Sequence, residues 1–236
     1  FRHDPPLSSP VAFLTGTEPS AGSELDRNRA AQQVHAEQIR LLYRFSPVGF
    51  VASLLVLLVL VGVLRDEMSR PALIAWFAIT ACITLGRYAL YKIFVVRKPA
   101  DDQMNAWELR YLIGTILMAL AWTAIGTVLL PTATVDRLSV VMLVCLLVTG
   151  AIAYYAPHRY AFRLLVFLSF IPMALTLAIS GELTQQLIAG AVLGLAIVLP
   201  VMHNKVWRAL ADALSAQHDR VLMAERLQEE RLLAQQ

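Results

Sequence analysis

Apolar residues come in six blocks along this chain, separated by short polar links, at 47–64, 72–95, 111–130, 138–155, 164–180 and 183–202. Each block is long enough to cross a hydrocarbon core as a helix, which takes about 17–25 residues. Such a core offers no water to unpaired backbone groups, so chain inside it is expected to be helical. Four of the links, "RDEMSR", "PTATVDR", "APHRYAFR" and "GE", are short, and "VRKPADDQMNAWELR" is longer. The pattern predicts an all-α fold: an integral membrane bundle of six antiparallel helices spanning 47–202, with no sizeable domain on either side.

The flanking segments read differently. Residues 1–26 are rich in Pro, Ser, Thr and Gly and read as a flexible tail. Residues 27–46 favour a juxtamembrane amphipathic helix, with Val34, Ile39, Leu42 and Phe45 along the membrane and Arg40 and Arg44 toward the headgroups. Beyond Pro200 neither Gly nor Pro occurs, and residues 203–236 are rich in helix formers. Trp207, Leu210, Leu214 and Val221 fall on one seam of three- and four-residue spacings, predicting a signalling helix paired with its twin as a coiled coil. A helix of this kind is marginal alone in water, and pairing would bury the seam. Pro200 removes one helix hydrogen bond near the membrane surface and is a candidate hinge.

Composition agrees with the pattern. The chain has 236 residues, 58% hydrophobic and 16% charged, and a mean hydropathy of +0.61. Soluble domains are nearer 45–50% apolar and about 25% charged. Charge sets the orientation. Placing the N-terminus inside puts Arg40, Arg44, Lys92, Arg97, Lys98, Arg110, Arg159, Arg163, Lys205 and Arg208 on the cytoplasmic side, ten against three for Arg65, Arg70 and Arg137. Both termini are therefore expected in the cytoplasm.

Candidate chemistry is sparse. Cys82 and Cys145 lie far apart inside apolar blocks, and no CxxC or Cys/His cluster occurs, so neither a disulfide framework nor a metal site is indicated. Walker A, GxGxxG, HExxH and GxSxG motifs are missing from the sequence, and no catalytic residue or cofactor of this segment is expected. No Asp or Glu falls inside the six blocks, which weakens a transporter or channel reading. Arg87 is the one clear charge within a block, and a cation at that depth suggests a carboxylate or lipid headgroup as ligand. Tyr88, Tyr91, Trp122, Thr149 and Tyr154 are the side chains that could converge on it. Gly190 and Gly194 form a GxxxG in the last block, fit either for packing inside the bundle or for a homodimer contact.

The opening "HAEQIRLLYRF", with Glu37–Tyr43 at its centre, six short-looped spans and the ending "AERLQEERLLAQQ" together resemble the N-terminal membrane module of bacterial multidomain signalling proteins. These are hybrid sensor histidine kinases and diguanylate cyclases or phosphodiesterases. The likeness covers about residues 35–236 and is one of layout, so it brings no active-site residue with it. It implies a bacterial inner-membrane sensor that relays a signal through a dimeric helix to a cytoplasmic catalytic domain. A histidine kinase domain, using ATP and passing phosphate to a response regulator, is favoured over a cyclase. The sequence begins at Phe1 rather than Met and reads as a piece of a longer chain, the output domain following it. More distantly it resembles multi-span kinases that detect diffusible fatty-acid signals. That likeness implies a lipophilic small-molecule ligand and makes Arg87 the cation for its carboxylate. Membrane lipids and a second copy are the other expected partners; no nucleic acid is expected. A transporter and a passive anchor are the rival classes.

Overall fold

The computed structural model describes residues 21–234, and their side chains from 32 to 213. Six α-helices account for nearly all of it: α1 Ala21–Leu64, α2 Arg70–Arg97, α3 Met104–Gly126, α4 Thr134–Tyr154, α5 Arg159–Ile179 and α6 Leu183–Ala234. A single 3₁₀ turn at Asp101–Gln103 precedes α3. Each of the six has a segment long and apolar enough to cross a membrane, so the chain is a multi-pass membrane protein.

Local chemistry sets the helix ends. Ser69 and Pro71 open α2, the proline lacking only an N–H that the first turn cannot use. Lys98 closes α2 in the left-handed region (φ 42°), its N–H bonded to the Phe94 carbonyl, and Pro99 blocks continuation. His158 caps α5, its Nδ1 accepting from the Ala161 N–H at 3.0 Å. Gly181 takes φ 78° in the turn before α6, a conformation without penalty only for glycine.

Two sequence expectations need correction at the start of the chain. Helix α1 begins at Ala21, inside the stretch 1–26 read as a tail, and runs unbroken through Pro47 to Leu64. The segment 27–46 is thus the first half of a spanning helix and not a separate element on the membrane surface. Ile39 and Leu42 are fully buried against the bundle, although Val34 and Phe45 of the same set remain exposed. Apolar spacing gives the face that is covered but cannot distinguish protein from lipid as the cover. Likewise α3 starts at Met104, before the expected 111, because Met104 and Trp107 are buried core residues within the apparent linker.

In the packing, α3 touches α1, α2, α4 and α5 and forms the centre. Among the described residues α2 packs only on α1 and α3, at one edge, and α6 only on α4 and α5, at the other. Pro172 lies inside α5, where it cannot donate to the Leu168 carbonyl. Thr123 of α3 brings its hydroxyl to that carbonyl, sharing its one proton between it and the Ala119 carbonyl of its own helix. Replacing Thr123 with Val is expected to cost about 1–3 kcal/mol by orphaning the acceptor. In SDS-induced unfolding the loss should shrink when Pro172→Ala restores the backbone N–H; an equal loss in both backgrounds would refute this account.

The alternating direction of the helices brings the starts of α1, α3 and α5 and the ends of α2, α4 and the membrane portion of α6 to one end of the bundle. All ten cations expected on the cytoplasmic side belong to this end. The opposite end holds the edge-to-face pair Trp76 and Trp122, with Trp76 Nε1 donating to the Ala121 carbonyl at 2.9 Å.

Candidate functional site

At the cation-rich end the helices meet in a layer of aromatic rings threaded by hydrogen bonds. Tyr43 of α1, 1% exposed, stacks on Phe94 of α2 at 4.0 Å and stands edge-on to Trp107 and Tyr111 of α3. Its hydroxyl donates to the Trp107 carbonyl at 3.0 Å. Gly49 of α1 lets the Tyr154 ring of α4 approach closely, since a methyl group there would stand only 2.8 Å from it.

Arg87 enters the layer from α2. Its stem lies over Gly114 of α3, where a side-chain carbon would come within 3.1 Å of Arg87 Cγ. Nη2 donates to the Tyr155 hydroxyl at 3.1 Å, and the guanidinium carbon sits 5.3 Å from the Tyr111 ring centre and 5.7 Å from that of Phe50. The ion pairs formed among the described residues do not include Arg87. Ring faces and a phenol stabilise its charge in place of a carboxylate.

Tyr155 is the hub of the layer. Thr115 Oγ1 spends its proton on the Tyr111 carbonyl at 3.0 Å, so the 3.1 Å contact between Thr115 and Tyr155 uses the tyrosine proton. The Tyr155 hydroxyl thus donates to Thr115 and accepts from Arg87. Its carbonyl accepts twice, from the His158 N–H at 2.8 Å and from His203 Nε2 at 2.9 Å. His203 lies on α6, is 1% exposed, and stacks on Phe162 of α5 at 4.3 Å. A carbonyl only accepts, so Nε2 carries the His203 proton. One tyrosine therefore joins the half-buried arginine of α2 to the edge helix α6.

A second chain of polar contacts runs beside the first. His158 accepts at Nδ1, so Nε2 carries its proton and donates to Glu108 Oε1 at 2.6 Å, while Glu108 Oε2 lies 3.2 Å from His35 Nε2. The trio ties α1, α3 and the α4–α5 turn together. Among the described residues no group of three or more His, Cys, Asp and Glu is arranged to hold a metal ion.

The candidate residues divide. Arg87, Tyr91 and Tyr154 belong to the layer, and Tyr88 borders it, edge-on to Phe50 with Lys92 over its ring. Trp122 does not reach it, lying eight residues along α3 from Gly114, about 12 Å at 1.5 Å per residue. Thr149 is exposed on α4 and points away. The ligand pocket expected around Arg87 is also closed: the space it shares with Tyr43, Ser46, Phe50, Tyr91 and Tyr111 amounts to about 10 Å³. Ligand sites run to roughly 300–1,000 Å³.

No protein-family model, curated protein or solved structure matches this chain. What the site does must be read from its own geometry.

Gly190 and Gly194 are exposed, and a side chain at either would meet nothing within 4 Å, so the GxxxG does not pack inside the bundle. Trp207 lies under the Arg159 guanidinium of its own chain at 5.2 Å, and Leu210 is half-buried. Leu214 and Val221 lie outside the residues whose side chains are described. Helix α6 is continuous through Pro200. Sequence reasoning passed over Tyr155, His158 and His203; the signal available was a Tyr-Tyr pair and a His in one short link, facing a lone His just past the last apolar block.

Proposed function

We propose that this chain is a membrane sensory and transducing module, in which α6 is the output lever and the layer around Tyr155 is the latch that sets its position. The observation that carries this reading is the double engagement of Tyr155, hydroxyl to Arg87 and carbonyl to His203. Its setting supports it. Helix α6 has 52 residues, about 78 Å at 1.5 Å per residue, against about 30 Å of hydrocarbon core. About 20 of its residues suffice to cross that core, and the remainder extends beyond it at the end where the latch is. Pro200, a turn short of His203, weakens the backbone where the lever would pivot.

In this mechanism a ligand or a change in bilayer packing that displaces Arg87 pulls on the Tyr155 hydroxyl and alters the carbonyl that holds His203. The lever then tilts or rotates about Pro200. A stimulus shifts this balance only by the difference in its affinity for the two states. The lever pairs with that of a second copy, through the open Gly190 and Gly194 surface and a coiled coil in 203–236. It drives a catalytic domain of the kind the family resemblance implies: an ATP-dependent histidine kinase feeding a response regulator, or a diguanylate cyclase as the alternative. Both termini lie in the cytoplasm of a bacterial inner membrane.

The test is a fusion of residues 1–236, in helical register, to a histidine kinase catalytic core, assayed by autophosphorylation in membrane vesicles. Tyr155→Phe and His203→Leu are each expected to change basal output at least about fivefold, as a latch worth about 1 kcal/mol requires. An unrelated dimerising span in place of the bundle should abolish that sensitivity. Output unaffected by either substitution would reduce the bundle to an anchor. Solute flux in liposomes would favour a transporter instead.

A further inference from the structure

We propose that the cleft between the cation-rich ends of α1 and α2 binds the phosphate headgroup of an anionic membrane lipid. The site borders the latch layer, sharing Tyr43, Tyr91 and Phe94 with it, and does not depend on the sensor reading. The cleft has a volume of about 460 Å³, within the range of ligand sites, and its walls include Arg40, Tyr43, Arg44, Tyr91, Phe94 and Lys98.

The charges in it are unequal in availability. Arg40 is occupied, its guanidinium 2.6 Å from Asp101 and 3.5 Å from Glu37. Arg44 and Lys98 form no ion pair among the described residues, and the Tyr91 hydroxyl forms no hydrogen bond there. Two free cations and a free phenol donor around an aromatic floor suit an anion with several acceptor oxygens. Tyr43 and Phe94 supply that floor, their rings stacked at 4.0 Å.

The surface below the cleft identifies a lipid as the source of the anion. Arg44, Val48, Val51 and Leu55 follow one another at spacings of four, three and four, so they share one face of α1. The three apolar members are 63%, 59% and 59% exposed. From Arg44 to Leu55 this stripe runs about 16 Å, the depth of one leaflet of a core about 30 Å thick. A cation at the head of an apolar track one leaflet long matches a phospholipid: phosphate between Arg44 and Lys98, acyl chain along the valines. A free phosphate ion would leave the track without a role.

The experiment uses the whole chain, purified and stripped of lipid, with binding of phosphatidylglycerol, phosphatidylcholine and inorganic phosphate followed by native mass spectrometry. Phosphatidylglycerol should be retained about tenfold more strongly than phosphatidylcholine, and the double variant Arg44→Gln/Lys98→Asn should lose that preference. Asn is chosen because it tolerates the left-handed backbone at 98. The pair Arg65→Gln/Arg70→Gln, at the far end, should leave the preference intact. Equal retention of both lipids, or a preference surviving in Arg44→Gln/Lys98→Asn at unchanged thermal stability, would overturn the proposal. So would phosphate binding lost in that variant without any lipid preference, which would assign the cleft to the free ion.

Discussion

Truncating Tyr155 to Ala is expected to cost about 3–5 kcal/mol of bundle stability, the range for an aromatic side chain deleted from a packed core. The ring is 1% exposed and touches Tyr111, Tyr154 and Phe162, so its loss opens a cavity shared by α3, α4 and α5. Tyr155→Phe keeps the ring and removes only the hydroxyl that accepts from Arg87 and donates to Thr115. That change should cost about 1–2 kcal/mol, given that hydrogen bonds to charged groups are stronger than neutral ones but are discounted inside membranes. SDS-induced unfolding of both variants in mixed micelles separates the two contributions. Equal losses would mean that the hydroxyl contributes the whole effect and that the ring does not matter, against the packing described here.

The second large effect is expected at His203. Leucine there fills similar space but withdraws the Nε2–H from the Tyr155 carbonyl and ends the stack on Phe162. The cost should be about 1–3 kcal/mol, one hydrogen bond plus one aromatic contact. Its location matters more than its size. Among the described residues helix α6 sits at the bundle edge and packs on α4 and α5 alone, so the loss should appear as faster amide exchange over 199–213 with α1 to α3 unchanged. The Tyr155 carbonyl keeps its second donor, the His158 N–H, so the α4–α5 turn should stay folded. Faster exchange spread evenly over all six helices would contradict a local latch.

The helices were legible in the sequence because the bilayer makes length and hydropathy nearly sufficient: six apolar blocks became six helices. The site was only partly legible. Arg87 stood out because a charge in an apolar block is rare, and Tyr91 and Tyr154 join it at the end the charge pattern marks. Trp122 and Thr149 failed because hydropathy carries no phase: nothing in a uniformly apolar helix says that Trp122 belongs to the opposite end or that Thr149 faces outward. Tyr155, His158 and His203 were missed for the converse reason. Each looks like an ordinary interface residue until the fold brings the α4–α5 turn against α6. The amphipathic pattern of 27–46 misled in its own way, since the face holding Ile39 and Leu42 is covered by neighbouring helices.

The measurement that bears most directly on the latch is a double-mutant cycle between Arg87→Gln and His203→Leu, read as unfolding free energy in mixed micelles. Among the described residues the hydrogen bonds that join these two run through Tyr155, by its hydroxyl on one side and its carbonyl on the other. The account predicts a coupling of about 0.5 kcal/mol or more, abolished when the cycle is repeated in Tyr155→Phe. Additivity within about 0.3 kcal/mol, or a coupling that survives loss of the Tyr155 hydroxyl, would contradict it.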